Sequence, residues 1–430
     1  MIGRAGLLLC GVLLGLAFGL GPAAAQLRGH GGPVRALAIS GDGETALSGS
    51  FDSSAILWSL RHDAARQVLR FHDSAVNAVA LLKDGRAATA GEDGQIALWV
   101  PGRSAPAAIL EGHRGPIVGL ARSPDGGTLA SASWDGTIRL WPLAGGQPIV
   151  LDGHRQNVNG VAFTPAGDAV VSADYDATVR IWPLRDLSAP LVAALPTPLN
   201  AVAVAPDGEI AAAGADGQVY FLSPTGERRG AVKAVPTPVI ALAMSSDGAR
   251  LAAAGIQGAV AIIDRPARRL VRTLVGPAFP VWSLAFLPDN RSLLTGGADR
   301  VIRRWDSDSG AEIGSVAAGG AEDPLAAYEG DPGARVFRAC VACHTLTAAE
   351  GNRAGPSLHG IFGRHIATLP GYKYSEPLKH LDIVWTPETL AKLFEIGPAR
   401  YTPGTKMPEQ QIGSPEDRAA LIKFLERATR

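Results

Sequence analysis

Residues 112–141 read GHRGPIVGLARSPDGGTLASASWDGTIRLW, in which three short apolar runs rich in β-favouring residues are separated by Asp-Gly turns. Asp-Gly between such runs is typical of tight hairpins, so the stretch predicts three antiparallel strands. A fourth apolar run, at residues 148–151, leads into Gly153-His154, where the pattern starts again. Each copy of the pattern therefore predicts one four-stranded sheet.

The pattern returns about every forty residues between residues 26 and 318. Four copies begin at a histidine and three later ones have lost it; the starts are His30, His72, His113, His154, Pro196, Pro236 and Gly276. These copies resemble the blades of WD-repeat propellers. The resemblance implies an all-β, seven-bladed propeller at residues 26–318, whose blades close radially and leave few strand edges open.

In WD-repeat blades a histidine, a second-strand Ser or Thr, a turn aspartate and a tryptophan form a hydrogen-bonded chain. The matching sets are His30, Asp52 and Trp58; His72, Asp93 and Trp99; His113, Asp135 and Trp141; and His154, Asp176 and Trp182. Their periodicity favours a structural role for these histidines over metal binding. Blades five and six lack both His and Trp, and we expect apolar packing alone to hold them.

Two segments compete to complete the last blade. Only residues 26–28 precede the first Gly-His, whereas residues 311–316 occupy the fourth-strand position after Trp305. We therefore expect the C-terminal segment to supply most of the closing strand.

A second signal lies near the C-terminal end, where residues 340–344 read CVACH. C-x-x-C-H is typical of c-type haem attachment, in which two thiols add to the vinyl groups of one porphyrin and the histidine ligates the iron. No second Cys or His pair completes a zinc site, and no βαβ pattern surrounds the motif as in thioredoxin-like proteins. We predict one covalent haem c, attached at Cys340 and Cys343 and ligated by His344.

Residues 1–25 have the form of a signal peptide, with Arg4, an apolar run at residues 7–20 and Ala23-Ala24-Ala25. The run is short for a membrane span of ~20 residues, so we expect cleavage after Ala25, and a membrane anchor only if the leader is retained. Since bacterial c-type haem attachment takes place outside the cytoplasmic membrane, we expect a periplasmic protein. With 40 Lys+Arg against 40 Asp+Glu, net charge gives no argument for nucleic acid or an anionic membrane as partner.

Small and acidic residues at 319–331 predict a linker, and residues 332–430 a small all-α domain. Helical spacing precedes Cys340, and a second helix is expected at about residues 416–428, capped by Ser414 with Pro415 and two acids in its first turn. Because each helix has an apolar face to bury, we expect the two to cross and close the domain around the porphyrin.

The second iron ligand should come from downstream of His344. Met407 is the one methionine of this domain, and it follows Pro403 and Gly404, which favour a loop. The histidine alternatives are His359, His365 and His380. We favour Met407, because His/Met ligation is the pattern of cytochromes c.

Residues 333–430 resemble class I cytochromes c of the mitochondrial and alphaproteobacterial type. The resemblance is carried by CVACHT at 340–345, GPSLHG at 355–360, FGR at 362–364, GYKYS at 371–375, Trp385, PGTKM at 403–407 and LIKFL at 421–425. It implies that the Pro356 carbonyl buttresses His344. It also implies that the haem propionates are held by Arg364, Tyr374, Ser375 and Trp385.

Three departures from that family stand out. Many relatives carry a tyrosine that hydrogen-bonds the methionine sulfur, where Leu393 and Phe394 stand here, and Glu409 replaces an aromatic residue after the methionine. Thirteen Lys+Arg against ten Asp+Glu in residues 331–430 replace the ring of lysines common among relatives. We therefore expect weak or redirected docking electrostatics.

The sequence thus predicts a multidomain chain, an all-β seven-bladed WD-repeat propeller followed by a small all-α cytochrome c domain. The favoured function is an exported electron carrier, not itself an enzyme, that exchanges single electrons with redox partner proteins while the propeller docks a protein. A second hypothesis makes the haem domain an electron feed for an active site in, or docked to, the propeller. A third makes the chain a haem-bearing interaction scaffold or sensor.

Overall fold

The computed structural model describes residues 26–103, 105–275, 280–313, 325–328, 330–337, 340, 344–348, 351–352, 355–405, 407, 412 and 414–430. The predicted leader lies outside the described residues, as do Cys343, Glu409 and most of the predicted linker. None of the helices in the described part of the chain has the length and apolar composition needed to cross a membrane.

Seven four-stranded antiparallel sheets form the predicted propeller, each running outward from its first strand. Blades one to four comprise β2 to β17, at Val34–Ile39, Thr45–Ser50, Ser54–Ser59, Ala64–Arg70, Val76–Leu81, Ala87–Gly91, Ile96–Trp99, Ala108–Leu110, Ile117–Arg122, Thr128–Ser133, Ile138–Pro142, Ile149–Leu151, Val158–Phe163, Ala169–Asp174, Thr178–Pro183 and Leu191–Ala194. Blades five to seven comprise β18 to β28 and β1, at Leu199–Val204, Ile210–Gly214, Gln218–Leu222, Arg228–Lys233, Val239–Met244, Arg250–Gly255, Ala259–Asp264, Arg269–Val275, Val281–Phe286, Ser292–Gly297, Val301–Asp306 and Gln26–Arg28.

The expectation for ring closure is wrong. The N-terminal strand β1 is the outer strand of the last blade, pairing antiparallel with β28 from Gln26–Arg303 to Arg28–Val301. The C-terminal segment adds only a single bridge, Trp305 to Glu312, at the other end of β28. Side chains join the two contributions, since Gln26 Nε2 donates to Glu312 Oε1 at 2.6 Å. Three residues suffice because Leu27 is buried between the last blade and the first.

The hydrogen-bonded chain expected in the histidine-bearing blades is confirmed. In blade one, His30 Nε2 lies 2.7 Å from Ser48 Oγ, Trp58 Nε1 donates to the same oxygen at 2.7 Å, and His30 Nδ1 lies 3.0 Å from Asp52 Oδ2. Thr89 takes the place of the serine in blade two. These buried polar groups satisfy one another, which is the condition under which burying them is tolerated.

Blade five is not held by apolar packing alone, contrary to expectation. Its Tyr220, which is fully buried, donates from Oη to Asp216 Oδ2 at 2.5 Å. Burial, together with this bond to Asp216, raises the pKa of Tyr220 to about 12, so the phenol stays a donor. A tyrosine–aspartate pair thus takes over the polar role of the lost His and Trp.

Blade four carries one more acid than its neighbours. Asp174 stands where blades one and three have Ser50 and Ser133, whose hydroxyls donate to a carbonyl and accept an N–H. Asp174 is fully buried, accepts the Asp176 N–H at 2.5 Å through Oδ1, and has no hydrogen-bond partner among the described residues at Oδ2. With His154, these two carboxylates place three potential ligand atoms within 4.8 Å.

The C-terminal region is helical, with a 3₁₀ turn at Ala326–Tyr328 and helices α1 to α5 at Pro332–Phe337, Glu376–Lys379, Pro387–Ile396, Pro398–Tyr401 and Pro415–Ala428. Ser414 caps α5 by accepting the Asp417 N–H, as its sequence predicts. The first and last helices cross at Gly333, where a Cβ would lie 2.5 Å from Cβ of Phe424 and collide with the Ala420 carbonyl. Glycine therefore lets the two backbones touch.

Candidate functional site

A cavity of about 430 Å³ lies in the helical region, opening toward the propeller. Eight of the nine predicted site residues line it: Cys340, His344, Pro356, Arg364, Tyr374, Ser375, Trp385 and Met407. The ninth, Cys343, lies outside the described residues. Segments from α1 to α5 thus bring together side chains that are up to 67 positions apart in sequence.

His344 is held in one wall by its own loop. Its Nδ1 lies 2.8 Å from the Pro356 carbonyl oxygen, and because a carbonyl only accepts, Nδ1 carries the proton. With Nδ1 used as a donor, Nε2 is the nitrogen that imidazole would offer to a metal. A Cβ on Gly355 would lie 2.8 Å from Nδ1, so only glycine lets the ring lie against this backbone.

Met407 lies on the loop that follows α4. Gly404 has φ of 81°, which favours glycine, and Thr405 Oγ1 accepts the Met407 N–H at 3.1 Å. Ser375 Oγ donates to the Gly404 carbonyl at 2.6 Å and so ties this loop to the segment before α2. Ser375 therefore has a local role in positioning the methionine loop.

The polar end of the cavity is built around Arg364. Its guanidinium donates to the backbone carbonyls of Ser357, at 3.2 Å, and His359. The Trp385 backbone N–H donates to the Arg364 carbonyl at 2.9 Å, which ties the backbone at Trp385 to that at Arg364. Burial raises the pKa of the Tyr374 phenol while Arg364 opposes the shift, so the hydroxyl stays protonated at neutral pH.

The floor of the cavity is apolar and includes the residues that depart from the cytochrome c pattern. Leu393 and Phe394 of α3 both line it, together with Leu421 and Leu425 of α5. The Cys340 thiol is also buried here; burial raises its pKa to about 12, against the opposing charge of Arg300. An unmodified thiol at this position would thus be protonated and unreactive.

Sequence reasoning missed the propeller side of this cavity. Asp52, Arg70, Phe71 and Asp73 line it from loops of the first two blades. Nothing in a single sequence connects these positions with residues three hundred places away. Tyr372 was also missed as a site residue, although it lies within the GYKYS motif and lines the cavity.

Comparison with known proteins also separates the propeller from the helical region. Residues 22–59, 65–100, 104–142, 145–183 and 268–306 match the family described as WD domain, G-beta repeat, and residues 330–429 match Cytochrome c. The matched repeats leave out residues 184–267, which include the blades without His and Trp.

Curated relatives match the C-terminal region almost over their full length. Cytochrome c of Cochliobolus lunatus is 46% identical over 99 residues, which is 23% of this chain and 91% of the relative. Cytochrome c of Arabidopsis thaliana is 46% identical over 99 residues, 23% of this chain and 88% of the relative. Cytochrome c of Ginkgo biloba is 41% identical over 103 residues, which is 23% of this chain and 90% of the relative.

Proposed function

The chain belongs to the cytochrome c family through residues 330–429, and we propose that it carries single electrons on one haem c bound covalently by Cys340 and Cys343. The observation that carries this proposal is the convergence of the eight described site residues on one cavity, with His344 and Met407 both in its wall. The WD-repeat propeller would serve as the platform that docks a protein. The redox partners are then proteins that give or accept one electron.

The residues present suit a haem. His344 offers Nε2 to the iron because Pro356 holds the proton on the other nitrogen. When bound, the haem supplies an iron that alternates between the ferric and ferrous states. A thioether ligand from Met407 favours the ferrous state more than a second imidazole does, and so raises the reduction potential. Arg364, Tyr374 and Trp385 would supply a cation and neutral donors for propionate carboxylates at the polar end.

We also propose that the protein is exported and works in the periplasm without its leader. The residue that would follow cleavage after Ala25 is Gln26, the first residue of β1. Cleavage there would leave the closing strand of the propeller at the very start of the mature chain. Mass measurement of the purified haem protein tests this, because cleavage predicts an N-terminus at Gln26 and one added haem.

The ligand assignment is tested with Met407→Ala in the full chain. We expect loss of the far-red sulfur-to-iron absorption band and a reduction potential lower by on the order of 100 mV, within the ~0.8 V range that axial ligands span. Met244→Ala, in β22 of the propeller, is the matched control and should leave both unchanged. An unaltered band in Met407→Ala would rule out Met407 as the ligand.

A further inference from the structure

The propeller lies across the mouth of the haem-domain cavity. Asp52 comes from the turn between β3 and β4, Arg70 ends β5, and Phe71 and Asp73 lie in the loop before β6. Loops on one face of adjacent blades therefore border a cavity whose other walls are helical.

Arg70 lies at the polar end of this cavity. Its guanidinium carbon is 5.5 Å from the ring centroid of Tyr372, a cation–π contact, and the Tyr372 ring packs edge-on to Tyr374 at 4.8 Å. Arg364, which acts on Tyr374 from within the helical region, lines the same end. Two arginines, one from each domain, thus flank the tyrosine pair.

The guanidinium of Arg70 has donors to spare. It makes no hydrogen bond to any residue that the structure describes, whereas Arg364 is engaged by two backbone carbonyls. The nearby Asp52 does not use Arg70 as a hydrogen-bond partner: Oδ2 accepts from the Gly31 N–H at 2.7 Å and bonds His30, and Oδ1 accepts from Ser54. The charge of Arg70 does act on Asp52, since burial opposes the shift while His30, Ser54 and Arg70 hold the pKa of Asp52 below its usual range. A cation at the edge of an apolar cavity favours an anionic group beside it.

We propose that Arg70 of the propeller binds a haem propionate, so that the propeller forms part of the haem pocket rather than only a separate docking platform. The inference rests on the proposed haem function and deepens it. A haem brings two carboxylates, and a planar guanidinium is the side chain best suited to pair with one partly removed from water. Domain docking and haem potential are then coupled through a single arginine.

The charge of Arg70 has a defined effect on the iron. A positive charge near the haem disfavours the ferric state, which carries one more positive charge than the ferrous state, so Arg70 raises the reduction potential. The same charge favours the ionised propionate and lowers its pKa. Removing Arg70 should therefore lower the potential and move the pH dependence of the potential toward higher pH.

The test measures the reduction potential of the full-length haem protein between about pH 5 and pH 9. This range includes the pKa values of carboxylates raised by burial and of histidines. Variants are Arg70→Lys, Arg70→Gln and Arg70→Glu, with Arg66→Gln as control, since Arg66 is an exposed residue of the same strand. We expect the potential to fall in the order Lys, Gln, Glu, with the inflection moving to higher pH in Gln and Glu. Arg66→Gln should match the parent.

Failure of this proposal is separable from failure of the haem assignment. If the far-red band and the response to Met407→Ala are as expected but Arg70→Gln and Arg70→Glu match Arg66→Gln in potential and inflection, the haem function stands and the propionate contact is refuted. If the protein carries no covalent haem, the proposed function itself fails.

Discussion

The propeller and the helical domain treat their buried polar side chains in opposite ways. In blade one, His30 bonds both Ser48 and Asp52, so these buried polar groups satisfy one another within the blade. Around the helical cavity, Arg364 and Tyr374 face a common space together with His344. The difference teaches that repeated polar residues here maintain the fold, whereas residues that occur once and converge are those to examine for function.

The largest expected effect is confined to the helical domain. Gly333→Ala puts a methyl group against the Ala420 carbonyl and 2.5 Å from Cβ of Phe424, at a crossing where backbone must move. We expect a loss of about 3 kcal/mol in the unfolding free energy of this domain and a weakened far-red band. The propeller transition in calorimetry should stay in place.

Gly41→Ala is the matched control for that substitution, since its Cβ would meet nothing within 4 Å. We expect the calorimetric unfolding transitions of the propeller and of the helical domain both to be unchanged in Gly41→Ala. If Gly333→Ala also left both transitions unchanged, the close crossing of α1 and α5 would be incorrect.

The next effect is confined to the propeller. Ser48→Ala removes the partner of both His30 Nε2 and Trp58 Nε1, leaving two buried polar groups unsatisfied. We expect a loss of about 2 kcal/mol in propeller stability by urea unfolding, with the haem spectrum and potential unchanged. Ser188→Ala, at an exposed site, should change neither. A changed haem spectrum in Ser48→Ala would contradict a purely structural role for Ser48 within the propeller.

The smallest effect distinguishes one blade from the others and depends on pH. Burial, reinforced by Asp176, raises the pKa of Asp174 to about 6, so its contribution to stability is lost as pH rises from about 4 to 6. Burial lowers the pKa of His154 to about 4, so its contribution is lost as pH falls from 6.5 toward 4. In the parent protein the two trends oppose each other.

Asp174→Ser restores the residue found in blades one and three and removes only the first trend. We expect the variant to be about 1–2 kcal/mol more stable at about pH 7, with stability that declines more steeply than the parent's toward pH 4. Urea unfolding between about pH 4 and pH 7 measures the stability of both proteins, and Asp152→Ser, at an exposed position, is the control. If the variant were less stable than the parent at about pH 7, the conclusion that the ionised, buried Asp174 destabilises the fold would be wrong.

Sequence could predict those features that local patterns carry. The seven blades follow from a repeated turn and strand pattern, and the cavity residues follow from short motifs such as CVACH and PGTKM. The hydrogen bond between Tyr220 and Asp216 was missed, because it replaces the His and Trp of the repeat pattern with different residue types. So was the closing strand, because three residues such as Gln26–Arg28 give no strand signal of their own. The approach of Arg70 to Tyr372 depends on how the domains pack, which local patterns do not encode.

Closure of the ring by β1 has a consequence for how the protein forms. Its partner residues Arg28 and Val301 lie about 270 positions apart in sequence, and bringing the ends of so long a chain together costs about 5 kcal/mol of entropy. The last blade cannot be completed until β28 has been synthesised. The propeller therefore closes late in folding, when the first and last strands of the array pair with each other. In the sequence, the C-x-x-C-H motif comes only after this closing pair of strands.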